Sequence, residues 1–252
     1  NALGTARLLQ AIRDSDTVRA VIVVTTDKCY ENTERHEPYR ESDRLGGHDP
    51  YSASKACTEL VCQSYRMSFL ASAGISLATA RAGNVIGGGD WAADRLVPDF
   101  LRALDGGQRL TLRSPHAVRP WQHVLEPVSG YLTLAEALLQ DGDGYSEAWN
   151  FGPDEADART VGWIADRLCG LASAPPWDKD AGPQPHEAKL LMLDSTKAKL
   201  RLGWHPRWSL AEALSRTVEW HRAWRSGQDM AAVSCRHVAA YDAALARHRE
   251  AA

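Results

Sequence analysis

Ala20-Val21-Ile22-Val23-Val24-Thr25-Thr26-Asp27-Lys28 is the stretch on which the fold turns. Its first five residues are apolar without interruption, and four of them are β-branched. A short continuous run of this kind predicts a buried strand of a parallel sheet rather than a half-exposed strand, which would alternate. The run ends in hydroxyls and charge. In open α/β sheets the carboxyl ends of the strands are where ligands bind.

On the amino side, Leu3, Leu8, Leu9 and Ile12 recur at helical spacing and predict a helix over 3–13. On the carboxyl side a polar loop spans about 31–48. Asp49-Pro50 then opens a helix, with Asp as cap and Pro at the first helical position, expected to run to about residue 71. A strand is expected over 75–80, ending in Arg81-Ala82-Gly83-Asn84, and Gly87-Gly88-Gly89-Asp90 reads as loop. Later helices are expected over 96–104, 124–139, 161–171, 195–202 and 210–224, the last opened by the capping box Ser209-x-x-Glu212. Short strands are expected over 109–112 and 148–151, an exposed loop over 172–186, and a helix-prone tail after Gly227. Strand–helix alternation in the first hundred residues predicts a parallel sheet, and the less regular remainder a smaller lobe.

The chain has 252 residues and a formal charge of −3, with no basic stripe, so nucleic acid is not an expected partner. No apolar run approaches the roughly 20 residues of a membrane span. The five Cys are odd in number and form no CxxC pair, which predicts neither a disulfide framework nor a metal site but reduced thiols in a cytoplasmic protein. The amino end shows no signal-peptide pattern, and Asn1 is not an initiator Met, so the chain is expected to be part of a longer one.

Tyr51-Ser52-Ala53-Ser54-Lys55 puts Tyr and Lys four residues apart, on one helix face. An ammonium beside a phenol favours the phenolate, which can take a proton from a sugar hydroxyl while hydride leaves the same carbon. The pair alone is a weak motif, equally met on a surface helix with an extended Lys. Its setting, between a strand ending in Thr26-Asp27-Lys28 and one ending in Arg81-x-Gly83-Asn84, makes it specific.

Asn1-x-x-Gly4-Thr5, the strand ending in Thr-Asp, Tyr51-x-x-x-Lys55, Arg119-x-Trp121-x-x-Val124 and Leu202-Gly203-Trp204-x-Pro206 stand in the order seen in the extended short-chain dehydrogenase/reductases that modify sugar nucleotides. The chain resembles that family over nearly its whole length. Thr25 to Asn32, Gly83 to Trp91, Arg119 to Val124 and His186-Glu187-Ala188 resemble most the branch that dehydrates CDP-glucose. The dTDP-glucose branch carries Thr-Asp-Glu where this chain has Thr26-Asp27-Lys28.

The resemblance implies a Rossmann-like, doubly wound parallel sheet with a small carboxyl-terminal substrate lobe. Residues 1–115 would be the later part of the NAD-binding domain, and 116–252 mainly the lobe, with about 117–151 returning to the sheet. The glycine fingerprint that cradles the cofactor's pyrophosphate is expected upstream of residue 1. Without it, NAD is expected to bind the chain weakly or not at all.

The implied chemistry is an internal redox: oxidation at C4, loss of water across C5 and C6, and hydride return to C6. Tyr51 is the expected base at the 4-hydroxyl, Thr26 a hydrogen bond to O4, Asp27 the acid for the leaving 6-hydroxyl. Lys28 is the base at C5 if neutral, or else an electrostatic partner of a carboxylate. Asn1, Thr25, Tyr51 and Lys55 are the expected NAD contacts. Asn84, Arg95 and Arg119 are expected to hold the substrate, CDP-glucose or a related sugar nucleotide. Trp91 and Trp121 suit either sugar packing or the core. A homodimer through the Tyr51/Lys55 helix is implied. Another sugar-nucleotide dehydratase, an epimerase of the same family, or an inactive sugar-nucleotide-binding fragment stays open as an alternative.

Overall fold

The computed structural model describes residues 1–182 and 190–250, with side chains described as far as residue 244. Helix α1 (Ala2–Arg13) leads to strand β1 (Ala20–Val24), and helix α2 (Pro50–Tyr65) leads to β2 (Ser76–Ala82). Then follow β3 (Asn84–Ile86), α3 (Leu96–Asp105), β4 (Thr111–Leu112), β5 (Val118–Arg119), β6 (Trp121–His123) and α4 (Leu125–Gln140). After α5 (Gly142–Tyr145) come β7 (Ala148–Phe151), β8 (Arg159–Thr160), α6 (Val161–Ala172) and β9 (Asp178–Lys179). The chain ends with α7 (Thr196–Leu202), α8 (Leu210–Arg225) and α9 (Met230–Glu250). Contacts divide it into two units. The first is Asn1–Gly83, Pro127–Gly152 and Leu191–His205; the second is Asn84–Glu126, Pro153–Leu190 and Pro206–Ala252.

The first unit is built on a parallel sheet in the order β1-β2-β7. Ala20 lies opposite Ser76 and Val24 opposite Ala80, while Thr79 to Ala82 pair with Ala148 to Phe151. Side chains alternate between two cores, as the period of a strand requires. Val21, Val23 and Leu77 pack with Leu9, Cys62 and Leu70 from the α1/α2 side. Ala20, Ile22, Ala78 and Ala80 pack with Leu134, Leu138, Ala198 and Trp204 from the α4/α7 side. Helices on both faces of a parallel sheet make this a doubly wound arrangement. The fit on the α4 side is tight: a Cβ on Gly130 would lie 2.4 Å from the Phe151 ring.

The second unit packs α3, α6 and α8 around Ile86, Phe100, Leu112, Trp121, Ile164, Leu168 and Leu214. Its strands are short ribbons: β3 with β6 and β4 with β9 in parallel, β5 with β8 antiparallel. Glu126, fully buried, accepts hydrogen bonds from the Trp208 amide at 2.8 Å and the Tyr241 hydroxyl at 2.6 Å. Burial pushes its carboxyl above the usual range, and these donors pull the other way.

Local expectations are met where a cap or a continuous run dictates them and corrected elsewhere. β1 is parallel but only partly buried, standing at one edge of the sheet. The helix from Pro50 ends as an α-helix at Tyr65. It continues as a π-type turn, Arg66–Leu70, in which the Ala71 amide bonds the Arg66 carbonyl at 3.2 Å and Leu70 enters the core. The second strand runs to Ala82 and so carries Arg81 into the interior. Asp178–Lys179 adds a short strand where only loop was expected. His186-Glu187-Ala188 lies outside the described residues.

Candidate active site

The first unit's site lies at the carboxyl end of β1. Its backbone pairing continues one residue further, the Thr25 amide bonding the Ala80 carbonyl at 2.8 Å. The chain then turns through a single 3-10 turn, Asp27–Cys29, capped by Thr26. The Thr26 hydroxyl accepts from the Lys28 amide at 3.3 Å and donates to Asp27 Oδ1 at 3.0 Å. This cap turns the Asp27 carboxyl inward, to 2% exposure, and leaves Lys28 outside. Cys29 is fully buried, and burial pushes its thiol up to about 12, which keeps it neutral.

Helix α2 begins where Asp49 Oδ1 accepts from the Tyr51 and Ser52 amides, at 2.9 and 3.0 Å. The Ser52 hydroxyl bonds the other oxygen at 2.6 Å and, with those amides and the charge of Lys28, holds Asp49 below its ordinary carboxylate range. Gly47 presses on this first turn, and a Cβ there would lie 2.3 Å from the Ala53 nitrogen. The cap therefore sets where Tyr51 emerges, 48% exposed. One turn on, Lys55 Nζ donates to the Val24 carbonyl at 3.4 Å. Tyr51, Lys55, Thr26 and Asp27 thus belong to one strand end and the helix beside it. Asn1 Nδ2 donates to Ser54 Oγ at 2.8 Å, which ties the start of α1 to the same helix.

Two residues at this edge were not expected. Glu59, one turn beyond Lys55, is 4% exposed, and Arg81 is 3% exposed. They form a two-point ion pair, Nε to Oε1 at 3.0 Å and Nη2 to Oε2 at 2.8 Å. Burial pushes the Glu59 carboxyl up, but Arg81 and the hydroxyls of Thr25 and Thr79 outweigh it and hold it below the usual range. The Thr25 hydroxyl donates to Glu59 Oε1. That bond gives Thr25 a structural partner in place of an outward-facing hydroxyl.

The expected substrate residues belong to the second unit. Asn84 opens β3 opposite Trp121, half-buried, with its amide on the Pro120 carbonyl at 3.1 Å. Arg95 precedes α3, is exposed, and pairs with Asp90 at 2.9 Å. Arg119 is 6% exposed on β5, lies directly opposite Arg159, and donates to the Val118 carbonyl at 2.9 Å. Trp121 is a core residue, whereas Trp91 is 47% exposed against Trp220 and Trp224. Gly88 is packed against the Trp220 ring, 2.0 Å from an added Cβ, so this glycine run serves close packing.

The residues at β1 suit a nicotinamide ribose in their donor chemistry. An ammonium and a half-exposed phenol stand on one face of α2, with the Asn1 carboxamide bonded to Ser54 of the same helix, and Lys55 and Tyr51 would hold its hydroxyls. A family model described as the NAD dependent epimerase/dehydratase family matches residues 1–152. The chain belongs to this family. Among relatives of known function, it is 48% identical to a CDP-glucose 4,6-dehydratase of Salmonella typhimurium, covering 98% of this chain and 70% of that one. A dTDP-glucose 4,6-dehydratase of Streptomyces antibioticus is 30% identical over 88% of this chain and 63% of its own. The solved DesIV, a dTDP-glucose 4,6-dehydratase of Streptomyces venezuelae with NAD and TYD bound, superposes with a TM-score of 0.76. It is 28% identical, over 91% of this chain and 67% of DesIV. NAD is the cofactor of the epimerase/dehydratase family.

Proposed function

We propose that this epimerase/dehydratase-family chain carries the catalytic residues of a CDP-glucose 4,6-dehydratase. The observation that carries the reading is the inward-turned Asp27 beside Thr26, one strand end away from the Tyr51–Lys55 pair. An epimerase needs a base at a sugar hydroxyl but no acid for a leaving group; a dehydratase needs both. The 48% identity to the Salmonella enzyme supports CDP-glucose as substrate.

Tyr51 and Lys55 would hold NAD by its ribose, and the cofactor would supply reversible hydride exchange with the sugar. The chain's own part is proton handling and orientation. Tyr51 takes the proton of the 4-hydroxyl, and Lys55 stabilises the phenolate and the ribose hydroxyls. Thr26 orients O4. Asp27, kept from solvent, gives a proton to the departing 6-hydroxyl. Lys28 takes the C5 proton only as a neutral amine; as an ammonium it is instead the electrostatic partner of Asp49, whose carboxyl its charge helps to lower. Asn84, Arg95 and Arg119 bind the nucleoside diphosphate, the buried guanidinium of Arg119 suiting a phosphate best.

The five cysteines are all free thiols, which supports a reducing, cytoplasmic setting. Leu3, Leu8 and Leu60 are more than half exposed on the packed pair α1 and α2, as is Met67 on the π-type turn that continues α2, which supports a homodimer through this helix pair.

The test is mass-spectrometric: full-length protein, NAD+ and CDP-glucose. Loss of one water from the sugar nucleotide is expected. A product of unchanged mass that chromatography separates from CDP-glucose would indicate an epimerase instead, and CDP-glucose alone a binding module.

A further inference from the structure

We propose, building on the dehydratase reading, that the buried Glu59–Arg81 pair is a positioning device. It fixes the segment that carries Thr26 and Asp27 against the helix that carries Tyr51 and Lys55. The hydrogen bonds show how. Glu59 Oε1 accepts from the Thr25 hydroxyl and from Arg81 Nε at 3.0 Å. Glu59 Oε2 accepts from the Thr79 hydroxyl at 2.7 Å and from Arg81 Nη2 at 2.8 Å. Arg81 Nη1 donates in turn to the Tyr30 hydroxyl at 2.8 Å, and that hydroxyl donates to Asn150 Oδ1 at 2.7 Å.

Thr25 and Tyr30 are the two ends of the segment that contains Thr26 and Asp27. One end is held by Glu59 and the other by Arg81. Glu59 is also one helical turn from Lys55 and about two from Tyr51. Acid and base of the reaction therefore hang from opposite sides of a single ion pair. Stability alone is a weak reason for such a pair, since apolar residues of similar volume often serve a core equally well. Fixed geometry is a better one, because a displacement of about 1 Å costs a rate on the order of 100-fold.

The test uses full-length protein with NAD+ and CDP-glucose. Glu59→Gln keeps the shape and can still meet Thr25 and Thr79; Arg81→Lys keeps a charge but loses the fork; Tyr30→Phe frees only the far end of the segment. Each is compared per folded molecule, with folded fraction taken from thermal melts. Positioning predicts a fall in kcat on the order of 10- to 100-fold with KM little changed. It also predicts that elimination slows more than oxidation, so enzyme-bound NADH, read by its absorbance, builds up during turnover. Amide exchange over 25–30 should quicken while that of β7 stays unchanged.

Loss of activity in proportion to loss of folded protein, with no rise in NADH and no local change in exchange, would overturn the proposal. Should Glu59→Gln fail to fold, Tyr30→Phe carries the same readouts. Should the wild-type protein remove no water, the dehydratase reading falls, and the exchange measurement alone decides whether the pair positions the segment.

Discussion

His123 offers a quantitative test of how the second unit is held together. The ring is 3% exposed at the end of β6, its edge against Trp208 with centroids 4.9 Å apart. Its Nδ1 accepts from the Leu125 amide at 3.3 Å, so that nitrogen must carry a lone pair and the imidazole must be neutral. Burial, with the nearby His237 and Arg216 adding to it, pushes its pKa down from the ordinary 6.5 to about 4. A folded-state value below the unfolded one means that the unfolded chain takes up the proton first. The stability is therefore intact above about pH 6.5 and is lost as pH falls toward 4. At about 1.36 kcal/mol per unit, the loss is on the order of 3 kcal/mol. Other groups titrate in the same window; Glu126, raised by burial, works in the opposite direction. The comparison is thus between wild type and His123→Asn, whose amide oxygen can replace Nδ1 as acceptor. Urea midpoints measured from pH 7.5 to 4.5 should show wild type more stable at the upper end and the gap closing by about 2 to 3 kcal/mol at the lower end. Curves that stay parallel over this range would refute the buried, neutral His123.

Three further outcomes follow from the geometry. Tyr51→Phe should lower kcat by about 10²- to 10⁴-fold while leaving the melting temperature unchanged, because the ring is half exposed and only the hydroxyl is lost; steady-state kinetics and a thermal melt check both. Gly130→Ala should destabilise by about 1–3 kcal/mol, since the new methyl meets the Phe151 ring and α4 must move off the sheet; denaturant unfolding measures it. Leu60→Glu, at a 53% exposed position of α2, should convert a dimer to a monomer in sedimentation without unfolding it, and an unchanged sedimentation coefficient would count against dimerisation through that face.

The parts of the fold legible from the sequence are those dictated locally. The uninterrupted run 20–24 announces a parallel strand, and Asp49-Pro50 announces the helix that presents Tyr51, because cap and proline act within one turn. Ala148–Phe151 is found where it was expected, although Asn150 interrupts its apolar residues. The paired ribbons β3–β6, β4–β9 and β5–β8 were mostly invisible in advance, since strands of two or three residues are too short for a period to register.

Glu59 and Arg81 were missed for a different reason. Each is an ordinary charge in its own segment, and only the meeting of α2 with β2 makes them a buried pair. A hint was present: Glu59 repeats the helical face of Ser52 and Ala56, both of which are buried. Thr25 reads as one more strand-end hydroxyl beside Thr26, yet the two differ. One hydroxyl turns into the core toward Glu59, and the other caps the turn that buries Asp27.

In the proposed function, Tyr51, Thr26 and Asp27 serve one dehydration in which the redox change cancels. The most direct measurement follows a label: CDP-glucose carrying deuterium at C4, incubated with NAD+ and the full-length protein, with the product read by NMR. A 4-keto-6-deoxy sugar with the deuterium at C6 is expected. Deuterium retained at C4 of an epimer, or a dehydrated product without label at C6, would contradict it.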